Sequence, residues 1–342
     1  MQRFILFLLV FPVIKLSSQT NTVKAGYTRC TWAAIQLMNQ DYVSTDSSIT
    51  VVTTRGLSTA GDKAFLTNRI ATDSSLHFYT VYFSGNNWRA VPHSSLELSL
   101  RTNPDAGDYV VYTEGDGKTF PDNIDRGTRM SRLYQVHVIL FDWPSRVPGY
   151  NGIRNIHQTA RNAYSLARQY HRFLMQLVAF KTSDPEKLTR ISLFFHSMGN
   201  AVFCHSMLTS ENAFLEKGLI HALILNAACF PVKHHAVVLE GLHFQDHIYV
   251  IFNRKDKTLR AASWLFHTRM LGCQLHTPLA GNACYIDIHP QAGNKHNYFI
   301  DQTLLSAFPP VRVLFNDLFH AVPENQLLIG NDRGLGLKLK QP

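Results

Sequence analysis

The run Ile191-Ser192-Leu193-Phe194-Phe195-His196-Ser197-Met198-Gly199-Asn200 restricts the fold more than any other stretch of the chain. Its first half is apolar and suits a strand covered on both faces. Its second half opens a helix predicted to continue through Leu208. A serine at the turn between a buried strand and a helix is the nucleophile-elbow arrangement. The tight turn lifts the hydroxyl clear of the sheet, and the helix N-terminus offers unpaired N–H groups to developing negative charge. The usual string is Gly-x-Ser-x-Gly. Here Gly199 supplies the second glycine and Phe195 stands in place of the first. Taken alone, the stretch also reads as a strand–turn–helix junction whose serine caps the helix.

The rest of the chain supplies a context for that junction. Strands are predicted at 109–112, 136–141, 219–226, 247–252 and 284–288, with helices at 120–133, as one long helix at 153–180, and at 303–322 with a break at Pro309-Pro310. Strands separated by helix-sized segments indicate a mostly parallel central sheet flanked by helices, an α/β fold. Upstream, β-branched and aromatic runs at 49–54, 76–83 and 96–100 read as strands of an antiparallel N-terminal extension, and residues 31–38 read as a helix. Residues 230–245 are expected to cap a site, and the tail from Asn325 is assigned no structure. In a parallel sheet the chemistry lies outside the carboxyl ends of the strands. Ser197, Asp256 and His296 each follow a predicted strand at that end, in the order Ser, Asp, His.

Met1-Gln2-Arg3, the apolar run 4–14 and the small and polar residues 15–19 read as a signal peptide, so an exported protein, periplasmic or secreted, is expected. The apolar run is too short for a membrane span. No other segment reads as transmembrane, so no anchor is expected in the mature chain. Residues 20–342 are expected to form one domain, with a β-rich part at 20–107, a core at 108–322 and a tail at 323–342. The formal charge of +9 is spread thinly, with no run of five Lys or Arg, so no nucleic-acid footprint is visible. Among the five cysteines, Cys204 and Cys229 lie in apolar contexts and read as buried thiols. Cys273 and Cys284 bracket a turn-rich loop and are expected to form a disulfide. No cysteine or histidine spacing suits a metal, and no cofactor is expected.

With these residues in view, the stretch from Asp108 to about Phe299 resembles the α/β-hydrolase superfamily. Within it, the chain is similar to a bacterial group of unassigned hydrolases. The resemblance rests on Phe141-Asp142-Trp143-Pro144-Ser145, on His196-Ser197-Met198-Gly199-Asn200, on Asn253-Arg254-Lys255-Asp256, on His296-Asn297-Tyr298-Phe299, and on Thr53-Thr54-Arg55 near the start. It implies the α/β-hydrolase type of sheet. It departs from the group at Phe195, where a small residue is usual, and at Glu114-Gly115, where His-Gly is usual.

The roles follow from the chemistry of such a set. Ser197 attacks an acyl carbon, His296 takes and returns the proton, and Asp256 orients the imidazole. Read alone, Asp256 is a solvated turn charge beside Arg254, Lys255 and Lys257. The backbone N–H groups of Met198 and Asp116 are the expected oxyanion donors, although a carboxylate at 116 opposes an oxyanion unless it points away. His196 is expected to pack or hydrogen-bond under the turn, and Trp143 to be a buried structural aromatic rather than part of a pocket. His289 also follows the last strand. It touches the strand end directly and precedes the rigid Pro290, so the base is assigned to His296 in the longer loop. Two functions remain: a hydrolase cleaving a small-molecule or lipid ester through an acyl-enzyme, or a catalytically silent binding protein on the same fold.

Overall fold

The computed structural model of the chain describes residues 30–32, 35–38, 48–60, 63–84, 87–103, 105–209, 215–233, 235–322 and 338–339. The signal-peptide segment and most of the tail lie outside the described residues. Six strands come first: β1 (Ile35–Leu37), β2 (Ser48–Thr53), β3 (Arg55–Ala60), β4 (Lys63–Ile70), β5 (His77–Ser84) and β6 (Asn87–His93). After α1 (Leu96–Thr102) the chain alternates: β7 (Gly107–Thr113), α2 (Phe120–Tyr134), β8 (His137–Asp142), α3 (Gly152–Ser165), α4 (Ala167–Ser183), β9 (Leu188–His196), α5 (Gly199–Thr209) and β10 (Ile220–Asn226). It ends with α6 (His235–Glu240), β11 (Gln245–Phe252), α7 (Lys257–Leu265), β12 (Ala283–Asp287), α8 (His289–Ala292), α9 (Gln302–Ala307), α10 (Pro309–Phe319) and β13 (Lys338–Leu339).

The main sheet runs β1-β6-β5-β2-β8-β7-β9-β10-β11-β12-β13. From β2 through β12 every pairing is parallel. The β2–β5 and β5–β6 pairings are antiparallel, as is the separate β3–β4 hairpin, so the expected parallel core carries its expected antiparallel extension. The chain leaves β7 for β8 on one side and returns to β9 on the other. That reversal opens a crevice at the carboxyl ends of β7 and β9, where an α/β sheet binds ligands.

Two consecutive residues show how β9 is covered. Side chains alternate across a strand. Phe194 faces Phe299 and the α10 residues Phe315 and Phe319, with ring centroids 5.0, 6.3 and 4.9 Å away. Phe195 turns to the opposite face and packs on Tyr170 of α4 at 5.6 Å and Phe203 of α5 at 4.6 Å. The large residue at 195 therefore fills the interface between β9 and its helices. Upstream, Arg55 and Asp142 are both fully buried and joined by a bidentate pair, Nε–Oδ2 2.7 Å and Nη2–Oδ1 3.2 Å. Thr53 Oγ1 and Asn123 Nδ2 donate to the same carboxylate at 2.5 and 2.7 Å, which supplies the extra hydrogen bonds a buried ion pair needs. The Thr-x-Arg and Asp-Trp-Pro-Ser strings are thus two halves of one contact between β2 and β8.

Several local expectations change. Residues 35–37 form a strand parallel to 88–90 rather than part of a helix, because pairing with β6 overrides a weak local preference. Residues 96–102 form helix α1 rather than a strand. Leu96, Leu98 and Leu100 mimic a two-residue period, yet the buried positions are Leu96, Ser99 and Leu100, and Leu98 is 49% exposed. Ser95 caps that helix by accepting from Leu98 N at 3.2 Å, a signal present in the sequence. The long helix is two helices that share Leu166 as the cap between them. Among the described residues no helix is long and apolar enough to cross a membrane.

The Cys273–Cys284 disulfide does not form. All five cysteines are buried and none is in a disulfide. Cys284 is level with Tyr249 within β11, whereas Cys273 follows Gly272, whose carbonyl accepts from Asn253 N beyond the end of β11. Four residues of strand separate those levels by roughly 13 Å. A bridge needs Cα atoms within about 7 Å. Burial pushes the Cys229 thiol up to about 12 and raises Cys204 and Cys273 as well, so these thiols are poor nucleophiles. We expect no thiol of the native protein to react with Ellman's reagent, and all five to react after unfolding in guanidinium without reductant. A Cys273–Cys284 bridge would reduce that second count to three.

Candidate active site

Ser197 ends β9 with φ +53°, in the left-handed region that non-glycine residues seldom occupy. Its backbone is fixed on every side. Its N–H donates to Asn226 O at 3.1 Å, and its carbonyl accepts from Cys229 N at 3.0 Å and from Asn200 Nδ2 at 2.9 Å. The same Asn200 amide reaches Phe195 O and Asn226 O at 3.2 and 3.3 Å, so one buried side chain clamps the turn from inside the helix. Two glycines make the turn possible. A β-carbon on Gly199 would lie 2.4 Å from Thr113 O, and one on Gly115 would lie 2.6 Å from Ser197 Cβ. The turn after β7 is pressed against the serine, as the crevice between β7 and β9 requires.

Asp256 and His296 come from the loops beyond β11 and β12. Asp256 is the N-cap of α7: its Oδ1 accepts from Leu259 N at 3.0 Å, and the residue is fully buried. Its other oxygen, Oδ2, lies 2.6 Å from His296 Nδ1. The carboxylate accepts, so Nδ1 carries the hydrogen and Nε2 keeps its lone pair. Asn253 ties the two loops together. Its Nδ2 donates to Lys295 O at 2.8 Å while its Oδ1 accepts from Lys255 N at 2.9 Å. Of the cations near Asp256 in sequence, Arg254 is engaged elsewhere, since its Nε sits 2.5 Å from Asp287 Oδ2. His289 also bonds Asp287, through Nδ1 at 2.9 Å, and so belongs to a different carboxylate from His296. Among the described residues no hydrogen bond joins Ser197 Oγ to His296. The two are linked through His196, whose ring lies 4.7 Å from that of His296.

Helix α2 holds the histidine loop. It begins with a capping box, Thr119 with Asp122, and with Pro121 in its first turn. Arg126 Nη2 donates to Asn297 Oδ1 at 2.7 Å, Arg129 Nη2 to Ile300 O at 3.0 Å and Tyr134 Oη to Phe299 O at 2.5 Å. Arg126 and Arg129, three apart and so neighbours on the helix surface, and Tyr134 at its C-terminal end together hold residues 297–300. None of them was singled out from the sequence. The signal available was an arginine pair three apart in a helix predicted to precede a buried strand.

The turn after β7 is positioned by the Asp-Trp-Pro-Ser segment. Trp143 is fully buried and its Nε1 donates to Glu114 O at 2.8 Å, a structural role. Ser145 O accepts from Gly117 N at 2.9 Å, and Ser145 Oγ from Lys118 N at 3.0 Å. The backbone N–H groups of Met198 and Asp116 lie on either side of the Gly115–Ser197 contact and donate to no described acceptor. The Asp116 carboxyl is occupied by α3: Oδ1 accepts from Asn155 Nδ2 at 2.9 Å and from the Thr159 hydroxyl. Burial raises its pKa, against the pull of those two donors.

Beneath the serine lies a buried polar network. Glu114 is bonded by the Tyr112 hydroxyl and the Arg126 guanidinium, and accepts from Gly115 N at 2.8 Å. Burial opposes its charge, but Arg126, with smaller help from Lys118, holds its carboxyl well below the usual range. His196 is buried and burial pushes its pKa far down, so it is neutral. Its tautomer follows from its neighbours. Arg126 can only donate, so the atom of Asn297 that it meets is the oxygen. His196 Nε2, 3.0 Å from that oxygen, therefore donates, and Nδ1 accepts from Asn226 Nδ2 at 2.9 Å. His196 thus hydrogen-bonds under the turn. Among the described residues no group of three His, Cys, Asp or Glu is placed to hold a metal ion.

The shift on Glu114 has a consequence for pH. Its folded pKa lies below the unfolded value of about 4.3, so its contribution to stability is complete above that pH and is lost as the pH falls toward the folded value. Between about pH 4.3 and pH 2 the wild type should lose thermal stability more steeply than Glu114→Gln, as followed by circular dichroism melts. Parallel curves for the two proteins would contradict the assignment.

No curated protein matches the chain. Among twelve matching chains of solved structure is an uncharacterised protein from Capnocytophaga ochracea DSM 7271, 10% identical, with a TM-score of 0.31. The match covers 76% of this chain and 63% of that one, so the chain spans less than two thirds of that protein's length. The model of a family described as alpha/beta hydrolase of unknown function (DUF900) matches residues 91–277. That span exceeds half of the chain and contains Asp116, Ser197 and Asp256: the chain belongs to this α/β-hydrolase family.

Proposed function

We propose that the chain is an exported serine hydrolase acting on a carboxylester or lipid ester. The observation that supports the reading is Ser197, a strained non-glycine residue with φ +53° just past a strand end and next in sequence to His196, whose ring lies 4.7 Å from that of His296, itself 2.6 Å from Asp256. Left-handed strain of about 1–3 kcal/mol persists where the surroundings over-determine it, and such strain clusters at functional sites. In the proposed cycle His296 Nε2 takes the Ser197 proton as Oγ bonds to the acyl carbon. The carbonyl oxygen becomes an oxyanion facing the N–H groups of Met198 and Asp116. Each such donor is worth roughly a hundred- to a thousandfold in rate. Collapse expels the alcohol with the proton from His296 and leaves an acyl-serine. Water then repeats the steps and releases the acid. Asp256 holds the Nδ1–H tautomer throughout, which keeps Nε2 free to act as base.

A fluorophosphonate probe should label the purified protein at Ser197, as read by peptide mapping. Ser197→Ala should remove the label and lower ester turnover by roughly a millionfold. Stability should change by no more than about 1 kcal/mol, because only a hydroxyl is removed. A folded protein that never labels would favour the silent, ligand-binding alternative. Export is proposed from the leader-like residues 1–19, and N-terminal sequencing of protein recovered outside the cytoplasm should find them removed.

A further inference from the structure

A cleft of about 720 Å³ opens between α6, the C-terminal end of α7 and the loop 267–278. Ser197, Asp256 and His296 do not line it. It shares their face of the sheet, since Val232 in its wall is three residues beyond Cys229, whose N–H holds the Ser197 carbonyl. Three residues span at most roughly 11 Å. The volume falls within the range of about 300–1,000 Å³ typical of small-molecule sites.

The chemistry of the wall is one-sided. Val232, Val237, Trp264 and Pro278 give it apolar surface, and Trp264 is 71% exposed. Lys233, Arg269, His267 and His276 add positive or protonatable groups, and no Asp or Glu is among the described lining residues. The side chains of these four residues make no described hydrogen bond or ion pair. His235, 1% exposed, completes the wall. Its Nδ1 lies 2.8 Å from Val232 O; a carbonyl only accepts, so Nδ1 carries the hydrogen. Its Nε2 is buried without a partner. A buried polar atom left unpaired is costly, and a ligand group that reaches it removes that cost.

We propose that this cleft binds an organic anion. Its negatively charged head is held by Lys233 and Arg269, and its apolar body lies along Trp264, Val237 and Pro278. The site stands on its own residues and does not depend on the hydrolase reading.

The test is titration of the full chain with dodecanoate, dodecanol and inorganic phosphate, followed by calorimetry and tryptophan fluorescence. Dodecanoate should bind once per chain, at least about tenfold more tightly than dodecanol or phosphate. The double variant Lys233→Gln/Arg269→Gln should lose about tenfold or more in dodecanoate affinity while keeping the wild-type melting temperature. Trp264→Phe should abolish the fluorescence change. Three results would each overturn the proposal: equal affinity for dodecanol, phosphate alone binding as tightly as dodecanoate, or undiminished dodecanoate binding by the double variant. The last would place the anion at the ester site instead. Dodecanoate should bind Ser197→Ala as it binds the wild type, so a failure here and a failure of the hydrolase reading are separate outcomes.

Discussion

No side chain fits between the end of β7 and the elbow. Gly115 faces Ser197 and Gly199 faces Thr113 O at distances that exclude even a methyl group. This close approach of backbones brings Met198 N and the Ser197 hydroxyl against Gly115. Most of the surrounding structure serves to maintain it. Trp143 and Ser145 hold the β7 side by their hydrogen bonds to the turn, and Asn200 holds the β9 side from within α5.

Two buried charge networks brace that approach. Arg55, at the start of β3, and Asp142, at the end of β8, form one pair that, through the Arg55 contact to Trp143 O at 3.0 Å, reaches the turn after β7. Glu114 and Arg126 join that turn to α2 and, through Asn297, to the loop that carries His296. Removing charges from water is costly, and a buried pair seldom gives net stability over an apolar replacement. What the pairs supply is direction. A guanidinium fork accepts partners only in its own plane, so each network fixes the angle at which its elements meet. The neutral His196 completes the second network and separates Glu114 from the His296 ring.

Much of the fold was legible because periodicity reports burial directly. The strands from β7 to β12 are short apolar runs between turn signals, and the parallel core follows from their alternation with helices. The misreadings occurred where local pattern and tertiary context diverge. Leu96, Leu98 and Leu100 alternate like a strand but sit on a capped helix. Residues 35–37 have no strong preference and become a strand only because β6 offers an edge. The Cys273–Cys284 bridge was inferred from nearness in sequence, but the two residues lie at different heights along the sheet.

The sequence by itself determined the order of Ser197, Asp256 and His296 beyond the ends of β9, β11 and β12, because strand and turn signals are local. It also supplied Gly199 of the turn after β9 and Gly115 of the turn after β7, since only glycine tolerates such contact. Tertiary structure alone decided that Asp256 bonds His296 while Asp287 takes His289 and Arg254. Both carboxylates follow strands and both histidines follow β12, so composition cannot sort them. It also decided the tautomer of His196 and the roles of Arg126, Asn297, Asn253 and Asn226. Polar side chains of this kind carry no periodic signal. Their function is set by the partners that packing brings within 3 Å, often a hundred residues away along the chain.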